Sequence, residues 1–461
     1  MTRQIVLLFL FLSCNLSAQL DLDQKPWVGS LAEAATMPNE VIKLKLWLHQ
    51  KEDMDELQQL KNLPNLRRLV IYNGIKDSVC LSEYVTQLPL LEELYVYRSQ
   101  KLSLPQNWSA MKALKIIDFN GNNIKDIPES IGDLSALQAL NISNNHLTSI
   151  PNAIVKLKNL EVLNISNNAI VHLPVTIQLL TNLKELNMHD NLLKEIPPLY
   201  TLKKLEKLII YRNFLSQLPN GLEYLDNLNT ISAGMNRITN FDNVANLKGL
   251  RQLYLDNNWI VQLPNKMNLK SLEILYLQGN QLNEIAAIGQ LSKLKRLFLS
   301  FNYIERFPIA VFRLKRLEVL EIFGNRIAEI PDNLDAFKQL TRLNLSNNKL
   351  RKLPKSIGKM PKLEYLEMDR NQLEELPTEI GQLTSLKVLN LRINEIHSLP
   401  ASITNLRQLE QLDLGRNKLN DFGFERKDFP KMITLKLIKN EIPDTAHEKI
   451  RNKFKGVMLE F

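Results

Sequence analysis

What this chain lacks narrows its chemistry before any pattern is read. It holds two cysteines in 461 residues, Cys14 and Cys80. Only Cys80 would survive removal of an N-terminal leader, and a lone thiol cannot staple a fold, so the architecture must be stable without disulfides. Cys80 is expected to be a small apolar filler. Glycine, at 15 residues, leaves little room for phosphate-cradling loops. The six histidines are scattered, and no His-Glu-x-x-His, Cys-x-x-Cys, Gly-x-Ser-x-Gly or phosphate-loop pattern occurs. Catalytic residues, a metal site and a cofactor are therefore not expected. Beyond the N-terminus no apolar run reaches membrane-spanning length. A compact basic cluster is missing too. Net charge is +9, yet Lys and Arg are spread along the chain, which argues against a nucleic-acid binder. Many stand just ahead of a repeat, as do Lys203, Lys204, Lys293, Lys315, Arg316 and Lys362. That predicts a charged row along one edge, a solvated face that also allows weak contact with an anionic surface.

What is present begins with a leader. Arg3, the apolar run from Ile5 to Leu12, and Asn15-Leu16-Ser17-Ala18 read as an export signal over residues 1–18, cut before Gln19. Leu12-Ser13-Cys14 also resembles the end of a bacterial lipoprotein signal, which would leave Cys14 lipidated. Both readings place the protein outside the cytoplasm, as a periplasmic, secreted or envelope-anchored protein; an unprocessed N-terminus would leave it cytoplasmic.

After residue 40 the chain repeats itself. From Leu137 it reads L-QA-L-N-I-SN-N-H-L, and from Leu160 L-EV-L-N-I-SN-N-A-I. The template starts from Leu66 and runs to Met432 at steps of 22 or 23 residues, with steps of about 25 at the front and a degenerate copy from Val41. The alternating leucines form a short strand with one apolar face. No copy can bury that face alone, so copies must stack into a parallel sheet over a continuous core. The asparagine at the ninth position recurs without a gap from Asn122 to Asn440. Its amide can donate and accept, so it is expected to pair backbone groups that each turn leaves open. Then comes Pro-x-x-Ile-x-x-Leu, as in 128–134, whose spacing fits a single helical turn on the far side.

The period and the L-x-x-L-x-L-x-x-N-x-L pattern resemble the leucine-rich-repeat superfamily over roughly 400 residues. The resemblance implies an α/β repeat solenoid, a horseshoe with about 18 strands on its concave face and short turns or 3₁₀ segments on its convex face. The 22-residue copies look like those of phosphatase-regulating repeat proteins. The 23-residue copies resemble those of Ras-associated and bacterial exported repeat proteins. The four-cysteine caps of animal extracellular relatives are missing, which favours a bacterial source. The array spans 41–442. An N-terminal cap is expected over 19–40, where Ser30-Leu31-Ala32-Glu33 reads as a capping box. A C-terminal cap is expected over 443–461, with a helix placing Ala446, Ile450 and Phe454 on one face and a closing strand after it.

Positions on the concave face that the template leaves free carry the functional signal. At the fifth repeat position, Asp118, Asn141, Asn164 and Asn187 precede Ile209, Ser232, Tyr254, Tyr276 and Phe298. Polar residues then resume at Glu321, Asn344, Glu367, Asn390 and Asp413. Tyr211, Arg212, Phe214, Met235, Arg237, Trp259, Phe301, Tyr303 and Phe323 stand beside this series. Aromatics and arginine on a soluble surface mark contact sites, so these residues are the expected seat of a protein or peptide partner. Cross-strand pairing alone also favours such rings. Tyr72, Tyr95, Tyr97 and Arg98 form a smaller second group. His189 and Asp190 share a strand without a third ligand. Glu367, Asp369 and Asp413 are expected to be salt-bridged by Arg370, Arg392 and Arg416 rather than catalytic. The Asn-x-Ser triplets at Asn141, Asn164 and Asn344 belong to the template. The expected role is a monomeric, non-catalytic scaffold exported from a bacterium. The alternative is a cytoplasmic regulatory adaptor.

Overall fold

A computed structural model describes residues 22–49, 52–74, 79–81, 84–100 and 102–461. The expected leader, its cut and Cys14 lie outside the described residues, as does the side chain of Cys80. Two compact units are present. The first runs to Asn213 and takes in Pro219–Leu225; the second holds Phe214–Leu218 and Asp226–Phe461.

In the first unit the main-sheet strands are β1 (Trp27–Val28), β2 (Lys43–Leu48), β3 (Arg68–Asn73), β5 (Glu93–Tyr97), β7 (Ile116–Asp118), β8 (Ala139–Asn141), β9 (Val162–Asn164), β10 (Glu185–Asn187) and β11 (Lys207–Ile209). Each pairs in parallel with the next in this order. Two short strands, β4 (Val79–Cys80) and β6 (Leu102–Ser103), form a separate parallel pair, an addition that the template does not foretell. The register brings Leu44, Leu69, Leu94, Ile117, Leu140, Leu163, Leu186 and Leu208 into one buried row. Burying each such side chain stabilises the stack by about 1.5–3 kcal/mol.

The second unit repeats the arrangement with β12 (Thr230–Ser232), β13 (Gln252–Tyr254), β14 (Ile274–Tyr276), β15 (Arg296–Phe298), β16 (Val319–Glu321), β17 (Arg342–Asn344), β18 (Tyr365–Glu367), β19 (Val388–Asn390), β20 (Gln411–Asp413), β21 (Thr434–Lys436) and β22 (Met458–Glu460), again parallel in sequence order.

Opposite the strands, most turns are 3₁₀. Pro128, Pro151, Pro174, Pro354, Pro377 and Pro400 each precede one, with φ from −60° to −72°, close to the value the ring imposes. Where proline is missing, Phe241 and Ile285 reach the same turn at φ −139° and −137°. The edge lysines have a structural task here. Lys112, Lys158 and Lys203 donate to the carbonyls of Asp133, Leu179 and Tyr224, each the last residue of the 3₁₀ turn that follows. Arg407 does the same for Asp428 and its neighbour Lys427. Lys204 and Lys362 reach back to Asn182 and Gln339.

The asparagine row is a ladder. In the second unit the Asn258 amide donates to the carbonyls of Ala233, Leu255 and Asp256 at 3.0, 3.1 and 3.2 Å, and its oxygen accepts from the Ile238 N–H at 2.9 Å. In the first unit Asn145 donates to Phe119, Ile142 and Ser143 and accepts from Asn122 and Ile124. Each amide thus satisfies backbone groups in its own turn and the one before, where an unpaired buried group would cost about 1–3 kcal/mol.

At the front, helix α1 spans Leu31–Thr36. Ser30 Oγ accepts from Glu33 N, but Glu33 reaches back to Gly29 N rather than to Ser30, so the expected capping box closes one residue further out. A short helix, α2 (Glu52–Glu56), follows β2. At the back, α3 (Asp444–Lys453) precedes β22. It buries Ile450, and Phe454 after it packs 5.7 Å from Phe422.

Candidate functional site

The open sheet face of the second unit carries a row of rings. Tyr254, Tyr276 and Phe298 occupy paired positions on β13, β14 and β15. The parallel register sets their spacing, and the rings stack: 4.9 Å between the first two and 3.9 Å between the second two, at 29° and 14°. All three are half-buried. The Tyr254 hydroxyl donates to Gln252 at 3.0 Å. Burial raises the phenol pKa of both tyrosines, so they stay neutral donors.

Beyond the strand ends the chain turns outward and exposes more rings. Trp259 is 50% exposed, Phe301 56% and Tyr303 48%. Arg237 lies 4.8 Å over Phe214 and 5.8 Å from Trp259. Arg326 lies over Tyr303, and Phe301 meets Phe323 edge-on at 4.7 Å. Phe301 rests against Gly324, where any Cβ would stand 2.7 Å from its ring. The structure thus brings Phe214, Met235, Arg237, Tyr254, Trp259, Tyr276, Phe298, Phe301, Tyr303 and Phe323 into one unit. Ile209, Tyr211 and Arg212 belong to the first, where Arg212 is tied to Asp190 at 2.9 Å.

The eighth repeat position, just before the ladder asparagine, was not singled out from the sequence. Its backbone is left-handed in almost every copy, at φ 51° for Met235 and 54° for Phe301. Asparagine and glycine suit that conformation, and Asn257, Gly279, Gly324 and Asn347 supply them. Methionine and phenylalanine do not. Their presence on the surface beside the ring row is a cost that the fold itself does not require.

Next to the row, chemistry turns polar. Arg342 holds Glu321 at 2.8 Å and also Glu367, while the Asn344 amide donates to both carboxylates at 3.1 and 3.0 Å. The expected salt-bridged surface exists, but its arginine is Arg342. Arg370 comes only within 3.9 Å of Asp369, and Arg392 and Arg416 point to no carboxylate at ion-pair distance among the described residues. Arg342 wins because it stands between the two glutamates on the strand that separates them. Burial raises the Glu367 pKa and Arg342 opposes it.

In the first unit, Tyr95 is buried and donates to Glu93, so it is core rather than surface. Tyr72 is stacked at 4.2 Å on Trp47, a residue the sequence reading passed over because its copy is degenerate. Tyr97 bonds Asp118 at 3.1 Å, and Arg98 is exposed. His189 is held between Asn187 and Asn167, and burial lowers its pKa. Among the described residues no group of three or more His, Cys, Asp or Glu is placed to hold a metal.

Residues 106–276 and 354–440, more than half of the chain, match the family described as a leucine-rich repeat region. The chain belongs to the leucine-rich-repeat family. A second description, leucine rich repeat, covers 270–327 and 315–373. A leucine-rich-repeat protein of Leptospira interrogans is similar in structure, with a TM-score of 0.72 at 28% identity over 95% of this chain and 100% of that one. The Arabidopsis receptor kinase HAESA, solved with the peptide hormone IDA and a co-receptor, gives 0.56 at 27% identity over 83% and 76%. An internalin of Listeria monocytogenes shares the fold, with 0.52 at 23% identity over 74% and 84%. No curated protein matches the chain. Leucine-rich-repeat proteins are typically interaction scaffolds that use the sheet surface of stacked repeats. No helix among the described residues is long and apolar enough to cross a membrane.

Proposed function

We propose that this leucine-rich-repeat protein is a non-catalytic scaffold, exported from a bacterium, that binds a protein or peptide on the open sheet face of its second unit. One observation carries the reading: the stacked row Tyr254–Tyr276–Phe298, flanked by half-exposed Trp259, Phe301 and Tyr303, at a repeat position that is polar at Asp118, Asn141, Asn164 and Asn187 before it and from Glu321 to Asp413 after it. Cross-strand pairing accounts for the stack itself but not for the flanking rings, which pair with no strand neighbour of the row. Rigid rings with little side-chain entropy to lose are the usual anchors of an interface. HAESA, which holds a peptide hormone in its own complex, supports the class of partner.

The test is capture of the native partner by the purified chain. Tyr276→Ala should weaken capture roughly tenfold or more while shifting the unfolding transition only slightly. Asn390→Ala, at the same repeat position, should do neither. Normal capture by Tyr276→Ala would remove the face from the interface, and unfolding would make the ring core. The mature N-terminus, read by mass spectrometry, should begin at Gln19 or at a lipid-bearing Cys14; an intact Met1 would favour the cytoplasmic adaptor instead.

A further inference from the structure

The charges around the ring row point to the chemistry of what binds there, an inference that rests on the reading above. We propose that this face takes an acidic polypeptide segment, whose carboxylates meet Arg296 and Arg237 while its apolar side chains lie on the rings.

Two cations bracket the row. Arg296 stands on β15 at the third repeat position, two residues ahead of Phe298 on the same face, and is exposed. Its charge acts on the hydroxyl ends of Tyr254 and Tyr276. Arg237 stands at the tenth position, beyond the strand exit, with its guanidinium against the rings of Phe214 and Trp259. Among the described residues neither has a carboxylate at ion-pair distance. Their neighbours are differently placed: Lys295 is paired to Glu273 at 2.8 Å, and Arg342 to Glu321 and Glu367.

Two carboxylates act on the ring row: Glu321 is taken by Arg342, and Asp256 does not reach either cation. It accepts from the Asn257 amide and lies over Gly234, where a Cβ would stand 2.5 Å from its oxygen.

Stacking on an aromatic face holds a guanidinium in place without using its N–H donors. Arg237 is thus pre-organised and still able to form a charge-assisted, two-pronged bond to an incoming carboxylate. A lysine-rich segment would meet two uncompensated positive charges and be rejected. Rings between the cations supply the apolar contact that a purely ionic patch would lack.

Random copolymers of known charge test this on the full chain. A glutamate–tyrosine copolymer should bind saturably and more weakly as salt rises, because the bracketing charges are solvent-exposed. A lysine–tyrosine copolymer should bind at least roughly tenfold less well. Arg296→Gln and Arg237→Gln should each weaken the acidic copolymer, Arg237→Lys should recover part of the loss, and Arg416→Gln should change nothing. Equal binding of both copolymers, lost in Tyr276→Ala, would keep the contact face but overturn its acidic preference. Absent binding of the acidic copolymer, or indifference to both arginine variants, would overturn the proposal outright. Tighter binding of oligothymidylate would overturn it too, in favour of a nucleic acid.

Discussion

A left-handed backbone at the eighth repeat position makes side-chain choice there a measure of strain. Ile393, β-branched and at φ 55°, sits where Asn347 and Asn257 sit in other copies. Relieving such a conformation is worth about 1 kcal/mol. Ile393→Asn should therefore shift denaturant unfolding to higher concentration. Phe301→Asn should gain less, because it gives up the edge-on contact with Phe323, and should lower partner capture. An Ile393→Asn variant no more stable than the parent would mean that the strain is absent. Asn344 carries a different lesson. It occupies the free fifth position, but its bonds to Glu321 and Glu367 make it a structural bridge between like charges. The ring row was legible because the template leaves the fifth position open, so a Tyr or Phe there stands out against Asn and Asp. The bridging role of Asn344 and the strain at Phe301 were not legible. Both depend on what neighbouring strands and backbone angles do, and a residue pattern holds neither. The recurring Asn and Gly of the eighth position were the available signal.

Elements of the array were readable wherever hydrophobic spacing alone decides them. Strands fell where leucines alternate, and 3₁₀ turns where Pro-x-x-Ile fixes the bend. The pair β4 and β6 was missed, because two-residue strands carry no periodicity. Helix α3 and β22 are the segment whose removal should matter most. Leu459 of β22, itself half-buried, covers the end of the buried row through its partner Leu435, and Phe454 packs on Phe422. Deleting 443–461 should expose Phe422 and Leu437 and cause either aggregation or faster hydrogen exchange through β20 and β21. Phe454→Ala should cost about 3 kcal/mol, as a large ring lost from a packed site does. A deletion that stays monomeric, with β20 and β21 equally protected, would show that the last repeats need no cover.

On the scale of the whole molecule, each unit sets carboxylates into its sheet face. Burial raises the pKa of Asp118 in the first unit and of Asp256, Glu367 and Asp413 in the second. A carboxylate whose folded pKa lies above its unfolded value adds stability that is complete below the ordinary carboxylate range. That stability is lost as pH rises through the folded value. Asp256→Asn should accordingly be more stable than the parent at neutral pH, and the gap should narrow as pH falls and close below the ordinary carboxylate range; a gap that widens in acid would reverse the sign. The same scale gives the basic edge its meaning. When Lys112, Lys158, Lys203 and Arg407 each close the end of the next 3₁₀ turn, a cation becomes part of how one copy is joined to its successor. Positive charge then grows with copy number, and an array lengthened by duplication would become more basic with no change in what it binds. The surplus of Lys and Arg is in this sense a product of repetition. Selection for a particular partner would be written instead in the few copies, such as those bearing Arg237 and Arg296, whose cations meet no carboxylate among the described residues.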